Sequence, residues 1–152
     1  MIEFDTGFET LTVEAITLPY KTTTILHSSE TMQRTGYIFL GWYDGEGGTG
    51  TQYTTADGNM VRDWDKSESP TTLYAKWALE QYSIKFYAGD NDTLVDELSY
   101  NVETETITLQ PYEQSGKRFI GWFNNKNYQI INKCRKASST QKFPSTSKIK
   151  MF

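Results

Sequence analysis

Apolar and polar residues alternate along much of the chain with a period of two. Ile2 and Phe4 flank Glu3, Leu11 and Val13 flank Thr12, and Phe39 to Tyr43 is dense in aromatic and apolar residues. Near position 75, Leu73, Ala75 and Trp77 share one side of an extended segment, with Tyr74 and Lys76 on the other. This period predicts short β-strands, because successive side chains of a strand point to opposite faces. No window of roughly 11 residues carries the 3.6-residue period of an amphipathic helix. Segment 44–52, DGEGGTGTQ, has no apolar residue and predicts a loop, with a strand resuming at TQYTT. Gly36 and Gly116 each stand just before an aromatic stretch, where a turn with positive φ is expected.

The pattern occurs twice. Residues 18–43 align with 98–123 without a gap at an offset of 80, placing Leu18 on Leu98, Gly36 on Gly116 and Phe39 on Phe119. Gly41-Trp42-Tyr43 falls on Gly121-Trp122-Phe123, and with a two-residue slip Ile2-Glu3-Phe4 falls on Ile84-Lys85-Phe86. A repeat on this scale is read as one structural unit used in tandem. The boundaries expected are 1–78 for the first module and 82–152 for the second, joined by a short linker at 78–81. The second copy diverges after about residue 124. Counting back from the end sets Phe152 where Trp77 stands and leaves Ile149 and Lys150 at the Tyr74 and Ala75 positions. A doubtful closing strand there predicts a less stable second module, mobile from about Asn132 to Thr146, with 147–152 as a weak substitute strand.

Composition narrows the function classes. The chain has 152 residues and a net charge of −4, and its Thr and aromatic content suits strands. The charge is segregated: residues 1–113 hold all 19 acidic residues and six basic ones, whereas 114–152 hold nine basic residues and no acidic one. The basic stretch Lys117 to Lys150 is either a patch for wall polyanions or nucleic acid, or the end of a divergent repeat or of a frame change. For the chain as a whole a nucleic-acid partner is not expected. No apolar run approaches the ~20 residues of a membrane helix, so no membrane insertion is expected. Neither a signal peptide's basic region nor its apolar region follows Met1. A single cysteine excludes an internal disulfide and a multi-cysteine zinc site.

The stretch TGYIFLGWYDGEGG at 35–48, followed by WDKSESPTTLYAKW at 64–77, resembles the Listeria–Bacteroides repeat, also called the internalin B-type B repeat. The second copy keeps Gly116, Phe119, Gly121, Trp122 and Phe123 but has Lys117 where the family has Tyr. The resemblance implies a mainly β, β-grasp-like small module in tandem. It also implies an extracellular or cell-wall location in a bacterial adhesin, a spacer, adhesion or protein-binding role, and no enzyme activity. The expected partner is a host or cell-surface protein or glycan. Gly36, Phe39, Gly41, Trp42, Trp77, Gly116, Phe119, Gly121 and Trp122 form the repeat frame.

No cofactor, metal site or catalytic residue is expected. The glycines at 45, 47, 48 and 50 could cradle a phosphate only if a helix followed; a hairpin loop is the expectation. Asp63, Asp65 and Glu68, and Asp90-Asn91-Asp92, lack the spacing of a calcium loop and read as solvated turns, although Asn91-Asp92-Thr93 fits a glycosylation pattern. His27, alone in HSSET, reads as an ordinary exposed histidine, since a zinc site needs ~3–4 ligands. Cys134, between Lys133 and Arg135, reads as an incidental thiol. Trp42, Trp77 and Trp122 read as core anchors, with an exposed sugar-stacking platform, and so a carbohydrate-binding module, as the alternative. Trp64 fits either role.

Overall fold

Most of the alternating segments form strands, and the irregular connections between them supply much of the core. The structure, a computed structural model, describes residues 1–88 and 93–123 together with the backbone of 133–134 and 146–150. The chain divides into two compact units, Met1–Leu79 and Glu80–Phe152. The fold is mainly β. Among the described residues the helical structure is the single turn Glu46–Gly48.

In the first unit, β1 (Ile2–Asp5), β2 (Tyr37–Gly45), β3 (Thr49–Gln52) and β4 (Thr71–Leu79) form one mixed sheet in the order β1-β4-β2-β3. β1 runs parallel to β4, while β2 is antiparallel to both β4 and β3. Ile2, Leu73 and Ala75 are buried, as their spacing predicts. The long connection from β1 to β2 covers the inner face, sealing it with buried Leu26 and Met32 and half-buried Ile16 and Leu18. Leu11 and Val13 pack against the same core but belong to no ladder. Alternation there reflects one-sided packing of an extended loop, not strand pairing.

Two further expectations change. The hairpin expected at 44–52 forms, but its loop is only the turn Glu46–Gly48, because β2 continues to Gly45 and β3 returns along it from Thr49. Polar content did not prevent a ladder because β3 is an edge strand with little to bury. The linker is also shorter than expected, since β4 runs to Leu79 and leaves Glu80 and Gln81 before the next strand.

In the second unit, β5 (Tyr82–Ala88), β6 (Thr93–Tyr100) and β9 (Thr146–Lys150) form a sheet in the order β6-β5-β9, and β7 (Ile107–Thr108) pairs with β8 (Lys133–Cys134). β5 takes the place of β1. Ile84 lies opposite Leu98 just as Ile2 lies opposite Ile16, so the offset of 82 persists to residue 98. The gap-free alignment of Leu18 with Leu98 is therefore displaced by two residues; ladder pairing with the first strand, not local likeness, sets the correspondence. The single Ile2–Ile16 bridge of the first unit is a long antiparallel ladder in the second.

β9 takes the place of β4. It runs parallel to β5, with Ile149 opposite Phe86 as Leu73 is opposite Phe4. Ile149 thus holds the Leu73 position, and the alignment that placed it on Tyr74 is off by one. That matters because a one-residue slip exchanges the two faces of a strand. The expectation of mobility from Asn132 to Thr146, and the position of Phe152, fall outside the described residues apart from the backbone of 133–134 and 146.

Candidate functional site

The repeat frame resolves into one aromatic device built twice. Phe39 and Trp42 are three residues apart, which in a regular strand puts them on opposite faces. The β2–β4 register shifts between Phe39 and Gly41, a bulge that brings both rings inward. Gly41 sits at φ 125, and a Cβ there would lie 2.1 Å from the Thr54 carbonyl oxygen. Only glycine fits both the angle and the space. Gly121 repeats the conformation at φ 145.

The resulting clusters match closely. Trp42 lies 4.7 Å from Phe4 and 5.3 Å from Phe39, and Trp122 lies 4.9 Å from Phe86 and 5.4 Å from Phe119. Each indole N–H donates at 2.8 Å to a carbonyl in the preceding connection, Trp42 to His27 and Trp122 to Gln110. The entry turns match too: Tyr37 N–H donates to Arg34 and Lys117 N–H to Gln114, both at 3.1 Å, around Gly36 and Gly116 at φ 79 and 75.

Trp42 is 0% exposed and Trp122 5%. Trp77 is half-buried against Phe39, with its indole N–H on the Thr6 carbonyl at 2.9 Å. Trp64, left open by the sequence, is buried and packs on Tyr53 with ring centroids 5.4 Å apart. His27 is not an ordinary exposed residue. It is half-buried, its Nε2 bonds the Glu14 carbonyl at 2.8 Å and its ring meets Phe4 edge-on at 4.8 Å. Its polar neighbours concealed this, because the apolar contact comes from β1, far away in sequence.

Sequence reasoning missed a set of polar pins. The loop 61–70 is fastened to the β2–β3 hairpin by Lys66, whose Nζ lies 2.8 Å from Asp44 Oδ2, and by the Tyr53 hydroxyl, which donates to Asp65. Lys66 holds the Asp44 carboxyl below the ordinary carboxylate range, and Asp44 raises Lys66 in turn. The Tyr53 hydroxyl bond likewise lowers Asp65, while burial, aided by Asp65, pushes Tyr53 up to about 12. Asp65 also pairs with Arg62 at 3.1 Å. Partners 12 and 22 residues apart give no local signal. Arg34 lies over the rings of Phe8 and Tyr37, another contact invisible in the sequence.

These bonds engage Asp65 structurally, and among the described residues no group of three or more His, Cys, Asp or Glu converges as a metal set would. Asp90-Asn91-Asp92 lies outside the described residues, as does the Cys134 side chain. The glycines from 45 to 50 shape the hairpin tip, with a strand following instead of a phosphate-binding helix. Among the described residues, no helix is long and apolar enough to cross a membrane.

What the first unit presents outward is the other face of its sheet. Tyr43 and Tyr74 stand opposite each other across β2 and β4, and the Lys76 ammonium lies 4.6 Å from the Tyr43 ring centroid. Ile38 and Leu40 on the same strand are 49% and 36% exposed. Glu3 opposite Thr72 and Asp5 opposite Tyr74 add acidic groups beside the tyrosines. This surface can contact a partner through rings, methyl groups and mixed charge.

The family model described as the Listeria-Bacteroides repeat domain matches the chain twice, over residues 1–76 and 82–147. Two relatives come from Evansella cellulosilytica. One, provisionally named a Gly-rich membrane protein, is 27% identical over 82% of this chain and 13% of its own length. The other, provisionally named a membrane protein, is 27% identical over 62% of this chain and again 13% of its own length. The chain therefore spans about an eighth of the curated relatives it matches. No solved structure matches it.

Proposed function

We propose, given that this chain belongs to the Listeria-Bacteroides repeat domain family, that it is a non-enzymatic cell-surface repeat serving as a spacer, adhesion or protein-binding unit within a larger adhesin. The observation that carries this reading is the duplicated aromatic device. Frame residues Phe39, Gly41 and Trp42, and their counterparts Phe119, Gly121 and Trp122, serve the interior of each unit, as a module copied for its fold would require. The small share that the chain makes of its relatives, and their names as membrane proteins, support a place in a long surface protein. An extracellular or wall-associated location and a host or cell-surface partner follow from the same reading.

Labelling intact cells of the source organism with a membrane-impermeant reagent tests it. The repeat should be labelled before lysis to the same extent as after; labelling only after lysis would sink the surface reading.

A second reading, a carbohydrate-binding module, shifts from the tryptophans to Tyr43 and Tyr74, the aromatic pair on the outer face. Glycan-array binding that disappears in a Tyr43→Ala, Tyr74→Ala double variant would support it, and unchanged or absent binding would end it.

A further inference from the structure

In each unit the first strand lies beside the last and runs parallel to it. β1 pairs with β4 from Ile2 opposite Thr71 to Asp5 opposite Tyr74, and β5 pairs with β9 from Ser83 opposite Thr146 to Tyr87 opposite Lys150. In the first unit, further bonds bracket the ladder. The Met1 amino group donates to Ser69 Oγ at 3.0 Å, Thr71 N–H to the Met1 carbonyl at 3.0 Å, and Trp77 Nε1 to the Thr6 carbonyl at 2.9 Å.

Two parallel neighbours carry the chain in the same direction. The polypeptide therefore enters each unit at one pole and leaves at the opposite pole. Tension applied along the chain drags β1 and β4 past each other along their own axes. The evenly spaced bonds of a parallel ladder are then loaded together, instead of one after another as when strands are peeled from one end. β4 is held on its other side by β2, from Tyr37 opposite Leu79 to Tyr43 opposite Tyr74, so it cannot slide without straining that ladder as well. Residues 6–70, including β2 and β3, lie between the two clamped strands in sequence and feel no tension until the ladder yields. Only Glu80 and Gln81 separate β4 from β5, so load passes from the end of one clamp to the start of the next with almost no slack.

We propose that the paired first and last strands are a mechanical clamp, and that a further function of this repeat is to bear tensile force along the chain. The proposal deepens the spacer reading and rests on it for biological purpose, but its physical content can be measured independently.

The test is single-molecule stretching of the full two-unit chain in two geometries. In one, the chain is held by its ends. In the other, it is held by its N-terminus and a cysteine introduced by Glu68→Cys in a Cys134→Ser background, so that β1 and β4 are pulled from the same end and peel. Forced unfolding reports the unfolding barrier along the direction of pull, so the same fold serves as its own control. The first unit should break at a severalfold higher force end to end than when peeled. Each end-to-end rupture of that unit should release about 230–250 Å, from ~79 residues at ~3.3–3.6 Å each less the ~30 Å span of a nine-residue strand. Equal forces in the two geometries, or a lower force end to end, would overturn the clamp. Such a result would leave the surface reading standing, since that reading falls only with the intact-cell labelling.

Discussion

The Trp42 indole donates to the His27 carbonyl at 2.8 Å from a ring with no exposed surface. This bond ties the β1–β2 connection to the sheet at the point where Phe4 contacts both residues. Replacing Trp42 with Ala should cost ~3–5 kcal/mol, the range for large-to-small core changes. Trp42→Phe, which keeps most of the ring but leaves the carbonyl unpaired, should cost about 1–3 kcal/mol. Urea unfolding of the full chain, followed at the first transition, measures both. An unchanged midpoint in Trp42→Ala would refute the core role.

Gly41 and Gly7 make a matched comparison. Both have positive φ, but a Cβ at Gly41 strikes the Thr54 carbonyl oxygen, while one at Gly7 meets nothing within 4 Å. Gly7→Ala should cost about 1 kcal/mol from backbone strain alone. Gly41→Ala should cost clearly more, because the bulge that turns Trp42 inward must open. Thermal melts of the two variants decide it, and equal losses would mean that the bulge does not depend on close approach.

The polar pins set a pH window. Asp44 and Asp65 have folded pKa values below the ordinary range, through bonds from Lys66 and Tyr53 respectively. Their contribution is therefore present above the unfolded carboxylate value of ~3.9 and is lost as pH falls through the lower folded values. Tyr53, raised to about 12 by burial and Asp65, contributes fully below the unfolded tyrosine value of ~10 and loses that contribution as pH rises toward its folded value. First-unit stability should be flat from about pH 5 to 9 and fall on both sides. Urea midpoints within and on both sides of that range, with Asp44→Asn flattening part of the acid limb, provide the check.

The closing strands make a paired test. β4 is bonded to both β1 and β2, whereas β9 pairs with β5 in its three-stranded sheet. Amide exchange should be slower across 71–79 than across 146–150; equal protection would show that the second closing strand is as secure as the first. The register gives a sharper version. Ile149→Asp, at the Leu73 position, should destabilise the second unit, and Lys148→Asp, one residue earlier, should be tolerated. The reverse result would restore the alignment that places Ile149 on Tyr74.

The sequence by itself determined that the chain is mainly β, that it is built as two copies, and which family it belongs to. Those conclusions rest on period-two alternation and on shared Gly-Trp frames, which are local and survive divergence. It also marked Gly36, Gly41 and Trp42 as frame residues, though not the reason for their spacing. Only the tertiary structure revealed that reason: Phe39 and Trp42 share a face because Gly41 carries a bulge. Tertiary structure alone also decided that His27 faces Phe4, that Lys66 finds Asp44, and that Ile16, not Leu18, corresponds to Leu98. Each of these is fixed by a partner distant along the chain. The parallel pairing of first and last strands belongs to the same class. No pattern within β1 or β4 specifies the direction of its neighbour, which is settled when the connection between them folds over the core.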